Sequence, residues 1–179
     1  MLTKRNIFLI GPMGSGKTAV GRHLARLFHY AFHDSDADIE ANTGVDIPFI
    51  FEKEGESGFR AREKESIDRL TQLTSIVLAT GGGAVIDPAN RRALAERGVV
   101  VYLATSVDQQ IERTRHGRHR PLLHDTDPEQ KLKDLMSRRA ALYAEIADLT
   151  VTTDGRRVQL VAEEIHQELW RQQKSYLFV

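Results

Sequence analysis

Residues Gly11-Pro12-Met13-Gly14-Ser15-Gly16-Lys17-Thr18 constrain this chain more than any other stretch. They fit the pattern G-x-x-x-x-G-K-S/T and stand between a strand-like run and a helix-like one. Ile7 to Ile10 is a short apolar run, and Val20, Leu24, Leu27 and Phe28 repeat at helical spacing after the glycines. Glycines in such a loop let successive backbone N–H groups turn inward around an anion. Lys17 reaches the outer phosphates, and the Thr18 hydroxyl can hold Mg²⁺. The helix that follows adds its positive end. The expected ligand is a nucleoside triphosphate, contacted by Gly14, Ser15, Gly16, Lys17, Thr18 and Ala19.

A length of 179 residues suits a single domain spanning 1–179 and is enough to bury a core. Lys plus Arg and Asp plus Glu number 25 each, for a net charge of +0, so nothing in the balance points to a nucleic acid or an anionic membrane. The expected partners are small molecules. The lack of cysteine removes disulfides, zinc–thiolate sites and thiol nucleophiles. The first apolar run stops at Gly11-Pro12, too short for a signal sequence, and no later stretch reaches the roughly 18 apolar residues of a membrane span. A soluble, cytoplasmic protein is expected.

Apolar runs recur at Ile7 to Ile10, Ile76 to Ala79, Val99 to Leu103 and Leu149 to Thr152, with a weaker one at Ala31 to His33, and helical patterns separate them. This alternation predicts an α/β fold, a parallel sheet covered by helices on both faces. Asp87-Pro88 and Asp127-Pro128 each read as an N-cap followed by a first helical residue, and Gly98 suits the turn into the Val99 strand. Ser106 with Gln109 reads as a capping box. Val158, Val161, Ala162, Ile165, Leu169 and Trp170 form a helical stripe expected to pack on the sheet.

The phosphate loop alone does not separate a kinase from a GTPase or a motor. After the predicted strand at 31–33 come Asp34-Ser35-Asp36, at a strand end of the kind that borders the ligand crevice in open parallel sheets. In an extended segment the two carboxylates would point to opposite sides, one toward Mg²⁺ and the other toward an acceptor hydroxyl. Any of the three residues could equally cap a helix starting near Ala37. The strand at 76–79 ends in Thr80-Gly81-Gly82-Gly83, with no acidic residue there and with backbone donors free to approach a ligand, or to form a plain turn. No Asn-Lys-x-Asp sequence supports a GTPase. Arg113, Arg115, Arg118 and Arg120 make the 113–120 segment basic, which suits a lid over ATP or else a solvated surface or RNA patch. Arg60 and Glu63 share a helix face, either as a surface ion pair or as a carboxylate that orients a guanidinium fork for an anionic substrate. Arg138-Arg139 offers a second fork. The seven histidines form no credible metal set.

Taken together, the motifs Gly11 to Thr18, Asp34-Ser35-Asp36, Gly55-Glu56 with Phe59-Arg60, Thr80 to Val85, Arg120-Pro121-Leu122-Leu123, and Arg139 with Leu142-Tyr143 closely resemble the shikimate kinases over nearly the whole chain. The resemblance implies transfer of the ATP γ-phosphoryl group to the 3-hydroxyl of shikimate, on the route to chorismate and the aromatic amino acids. It implies a monomer of the three-layer P-loop nucleotide-binding fold, with a five-stranded parallel sheet and helices on both faces, a substrate-binding helical region near 34–62 and a mobile lid near 113–125. It implies Asp36 at the acceptor hydroxyl and Arg60, Arg139 and a Gly82 backbone contact on shikimate. Thr18 and Asp34 would support Mg²⁺, Lys17 and Arg120 the transferring phosphoryl group, and Arg113 and the stretch Thr153 to Arg157, Arg156 included, would flank the adenine. Read without the resemblance, the residues describe a small, anionic, hydroxylated acceptor. Kinases of gluconate or of nucleoside monophosphates therefore stay open, as does a nucleotide-regulated RNA-binding protein, against which the zero net charge argues.

Overall fold

The computed structural model describes residues 6–114 and 127–175. Arg120 and most of the expected lid fall outside the described residues. Five parallel strands, β1 (Asn6–Ile10), β2 (Ala31–Asp34), β3 (Ile76–Ala79), β4 (Gly98–Ala104) and β5 (Leu149–Thr152), form one sheet in the order β2-β3-β1-β4-β5. Helices α1 (Lys17–Phe28), α2 (Ser35–Thr43), α3 (Ile47–Thr71), α4 (Pro88–Arg97), α5 (Val107–Thr114), α6 (Pro128–Ile146) and α7 (Val158–Ser175) connect or follow them.

The pleat decides the layers, because successive strand residues face opposite sides. Ile7, Leu9, Val77, Val101 and Val151 point to one face, where Val20 and Leu24 of α1 and Val161 and Ile165 of α7 cover them. Phe8, Ile10, Leu78, Val100 and Tyr102 point to the other, under Ile67 and Leu70 of α3, Leu94 of α4 and Tyr143 of α6. Both faces are apolar, as expected of a parallel sheet buried on both sides. A third cluster, Ile39, Ile50 and Phe59, binds α2 to α3 beside the sheet. Gly55, with φ 69° and ψ −174°, kinks α3.

Most local signals hold. Asp87 accepts from Ala89 N at 2.7 Å with Pro88 opening α4, and Asp127 accepts from Glu129 N at 3.0 Å with Pro128 opening α6. Others differ. Gly98 is extended and already part of β4; a side chain there would lie 2.5 Å from the Phe8 ring and 2.7 Å from the Asn6 carbonyl, so the position selects for space rather than for a left-handed turn. Ser106 Oγ accepts from Gln109 N at 3.3 Å, but the reciprocal half of the capping box belongs to Asp154, which accepts from Ser106 N at 3.0 Å. Trp170 is 51% exposed and is not among the α7 residues buried against the sheet; it stacks on His166 at the helix surface.

The segment after β2 also departs from expectation. It does not stay extended: α2 begins at Ser35, and Asp34 caps it by accepting from Asp36 N at 3.0 Å. A helix turn replaces the strand alternation, so Asp34 and Asp36 face the same cleft instead of opposite sides.

Candidate active site

The carboxyl ends of the strands meet at one level. Leu9 of β1 and Asp34 of β2 both pair with Ala79 of β3, and Thr80 donates to the Leu9 carbonyl through its N–H at 3.1 Å and its Oγ1 at 3.0 Å. The phosphate loop after β1, the acidic turn after β2 and the glycines after β3 therefore open into a common cleft of about 540 Å³.

On one side, Gly14 and Gly16 adopt φ 79° and 90°, conformations that side-chain-bearing residues adopt rarely. Gly16 caps α1 without a side-chain hydrogen bond, which leaves the helix's first N–H groups to an anion. Lys17 Nζ donates to the Gly11 and Pro12 carbonyls, each at 2.8 Å. Ser15 is buried beneath the loop, while Gly14, Gly16, Lys17, Thr18 and Ala19 line the cleft. Thr18 Oγ1 donates to Asp34 Oδ2 at 2.8 Å. That pair supplies hard oxygens on the edge of the loop, a donor set suited to a Mg²⁺ that keeps most of its ligands as water and phosphate. No cluster of three or more His, Cys, Asp or Glu that could hold a metal ion occurs among the described residues.

On the other side lie Asp36, Arg60, Glu63, Gly81 to Gly83 and Arg139. Glu63, 1% exposed, accepts from Arg60 Nη1 at 2.7 Å, and Arg60 also reaches Glu56 at 3.1 Å. The orienting carboxylate is thus buried and its arginine 19% exposed. Arg139 is 8% exposed, while Arg138 points to solvent. Ile47, Pro48, Phe51 and Phe59 complete an apolar wall, with Phe51 and Phe59 in ring contact at 4.8 Å. Sequence reasoning missed this wall. Its signal was the apolar run Ile47 to Phe51 ahead of Gly55, with Phe59 beyond it.

The electrostatics on this side are unusual. Asp36 Oδ1, Arg60 Nε and Glu63 Oε1 are buried side-chain atoms without a hydrogen-bond partner among the described residues. Burial, then the neighbouring Asp34 and Glu63 carboxylates, push the Asp36 carboxyl up to about 7, against the pull of Lys17. Burial likewise raises Glu63, although Arg60 and Arg139 draw it down. A side chain at Gly81 would stand 2.8 Å from both Asp36 Oδ1 and Glu63 Oε1. The glycine therefore lets two carboxylates approach one point, a close approach that unpaired groups tolerate only at a cost.

Of the remaining expected contacts, Arg113 lines the cleft and ties it together, donating to Gly14 O at 3.0 Å and Thr153 O at 2.7 Å. Arg156 is not among the lining residues; its guanidinium pairs with Glu164 and donates to Thr152 O at 3.1 Å.

A phosphate loop facing a second pocket that holds a raised carboxyl and two arginines defines a P-loop protein built to bring a nucleotide and a small anionic acceptor together. A family model described as shikimate kinase matches residues 13–170. A shikimate kinase from Halorhodospira halophila is 56% identical over 167 residues, 93% of this chain and 94% of that protein. Another from Alteromonas mediterranea is 53% identical over 165 residues, 92% of this chain and 96% of that protein. The solved structure of shikimate kinase from Acinetobacter baumannii in complex with shikimate is 50% identical, covers 95% of each chain and superposes with a TM-score of 0.93. This chain belongs to the shikimate kinase family.

Proposed function

We propose that the chain transfers the γ-phosphoryl group of ATP to the 3-hydroxyl of shikimate, releasing ADP and shikimate 3-phosphate. The observation that carries this assignment is the convergence of Asp36 Oδ1, Arg60 Nε and Glu63 Oε1, buried and without partners among the described residues, on the side of the cleft that faces the phosphate loop. Buried polar atoms without partners await a polar ligand, and one raised carboxyl beside two guanidinium groups matches an acceptor with a hydroxyl and a carboxylate.

In this reading Arg60 and Arg139 grip the shikimate carboxylate, and a Gly82 backbone contact holds the ring beside the apolar wall. Asp36 orients the 3-hydroxyl and takes its proton as the oxygen forms its bond to the γ-phosphorus. The bond between that phosphorus and the bridging oxygen breaks, and the electron pair leaves with ADP. Lys17 neutralises charge on the phosphoryl oxygens, and the family resemblance gives Arg120 the same duty from the lid. Thr18 and Asp34 would hold Mg²⁺ through water, and the ion's charge would screen the phosphates. Positioning and electrostatics suffice for this chemistry without a covalent intermediate. A cytoplasmic monomer acting on two small molecules completes the proposal; no helix among the described residues is long and apolar enough to cross a membrane.

The test is ADP release from ATP and Mg²⁺ with shikimate, beside gluconate, a nucleoside monophosphate and no acceptor. Turnover with shikimate alone is expected. Turnover with another acceptor and silence with shikimate would keep the kinase chemistry and overturn the acceptor.

A further inference from the structure

Tyr143 lies on α6 one turn after Arg139, and the two side chains share a helix face. It is 1% exposed, and its ring stacks on Tyr102 of β4 with centroids 5.0 Å apart and planes at 21°. Its hydroxyl donates to the Gly82 carbonyl at 2.5 Å. Burial drives the phenol well above its ordinary pKa, and the Arg139 guanidinium draws it down, so the hydroxyl remains a donor throughout the working range.

That single bond has geometric reach. The Gly82 carbonyl and the Gly83 N–H belong to one peptide plane, and no peptide bond among the described residues is cis. A trans plane whose oxygen is held by Tyr143 turns the Gly83 N–H the opposite way. Among the described residues, no group accepts from the N–H of Gly82 or of Gly83, and both residues line the cleft. Three glycines in a row have no side chains to fix their orientation. Gly82 also packs against the phosphate loop: a side chain on it would lie 3.3 Å from Met13 N.

We propose that Tyr143 is a positioning residue for the acceptor: through the Gly82 carbonyl it aims the glycine-loop donors into the cleft and holds them in register with Arg139. The proposal rests on the acceptor-site reading above, in which Gly82 and Arg139 bind shikimate.

The experiment compares Tyr143→Phe, Tyr102→Leu and Arg139→Gln by steady-state kinetics with both substrates and by thermal unfolding. Tyr143→Phe removes only the hydroxyl. It is expected to raise the KM for shikimate about tenfold, the size of one positioned hydrogen bond, with the KM for ATP and kcat held within about twofold. Tyr102→Leu removes the ring stack and leaves the hydroxyl, and is expected to lower the Tm with little change in either KM. A KM for shikimate that stays level in Tyr143→Phe while rising in Arg139→Gln would overturn the role of Tyr143 and leave the acceptor site standing. A level KM in both would overturn the acceptor-site reading itself. Equal KM increases in Tyr143→Phe and Tyr102→Leu at equal loss of Tm would reduce Tyr143 to a packing residue.

Discussion

The two halves of the cleft are built on opposite plans. The nucleotide half is built around one contiguous stretch, Gly11 to Ala19, whose groups have partners in the loop or just beyond it: Lys17 rests on the loop's carbonyls and Thr18 on Asp34. The acceptor half is assembled from residues 36, 60–63, 81–83 and 139. All three buried side-chain atoms without partners among the described residues lie there. A backbone cradle binds any phosphate chain and can be complete without it. A site that must select one small anion keeps desolvated groups waiting, so the selective half carries the strain and the generic half does not.

The sharpest way to break this contrast is at Asp36. Asp36→Asn is expected to lower kcat by about a hundredfold or more, as for loss of a positioned base, while ATP binding, measured separately, stays near that of the parent. In the parent, kcat/KM for shikimate should climb with pH around the raised pKa of about 7, and that limb should vanish in the variant. Stability gives an independent reading. The unfolded carboxyl titrates near 3.8 and the folded one near 7, so between these values the folded chain holds a proton that the unfolded chain has released. The stability this proton supplies is complete below the lower value and is lost as pH rises through the upper one. The Tm of Asp36→Asn, minus that of the parent, should therefore grow more positive from pH 4 to pH 8. A flat difference would mean that Asp36 is not held in a desolvated, anionic setting.

Next in size is Arg60→Ala. It removes a fork from the acceptor and leaves Glu63 buried beside Asp36 with its main counter-charge gone. An increase in the shikimate KM on the order of thirtyfold is expected, for loss of charge-assisted bonds. A fall in stability on the order of 2 kcal/mol should accompany it, from the orphaned carboxylate. Raised ATP KM with unaltered shikimate KM would place Arg60 in the wrong half.

The same contrast explains what could be read from the chain. The strands, the Asp87-Pro88 and Asp127-Pro128 helix starts and the phosphate loop are local, written in adjacent residues. Strand alternation sets Asp34 and Asp36 on opposite sides, but one capping bond, from Asp36 N to Asp34, converts that alternation into a helical turn. Trp170 was misplaced because helical spacing fixes a face but not how far the sheet extends beneath it. The wall of Phe51 and Phe59, the anchoring of Gly82 by Tyr143 and the Asp154 contact to Ser106 each join residues from separate elements or across a kink. No spacing rule announces such meetings, and in the sequence only the family resemblance links residues 36, 60 and 139 in one acceptor pocket.

The smallest effects divide the nucleotide half internally. Arg113 reaches across two loops, from Gly14 to Thr153, and fixes the distance between the phosphate cradle and the segment after β5. Arg156 spans only from the end of β5, through Thr152, to α7, through Glu164. Both were expected beside the adenine, yet only Arg113 lines the cleft. Arg113→Ala is expected to raise the KM for ATP about fivefold, for the loss of hydrogen bonds that hold two loops in register. Arg156→Ala should change it less than about twofold, since a partly exposed ion pair contributes little. Equal increases would mean that the Arg156 side chain leaves Glu164 to meet the base, and the nucleotide half would then share with the acceptor half the habit of completing itself only on its ligand.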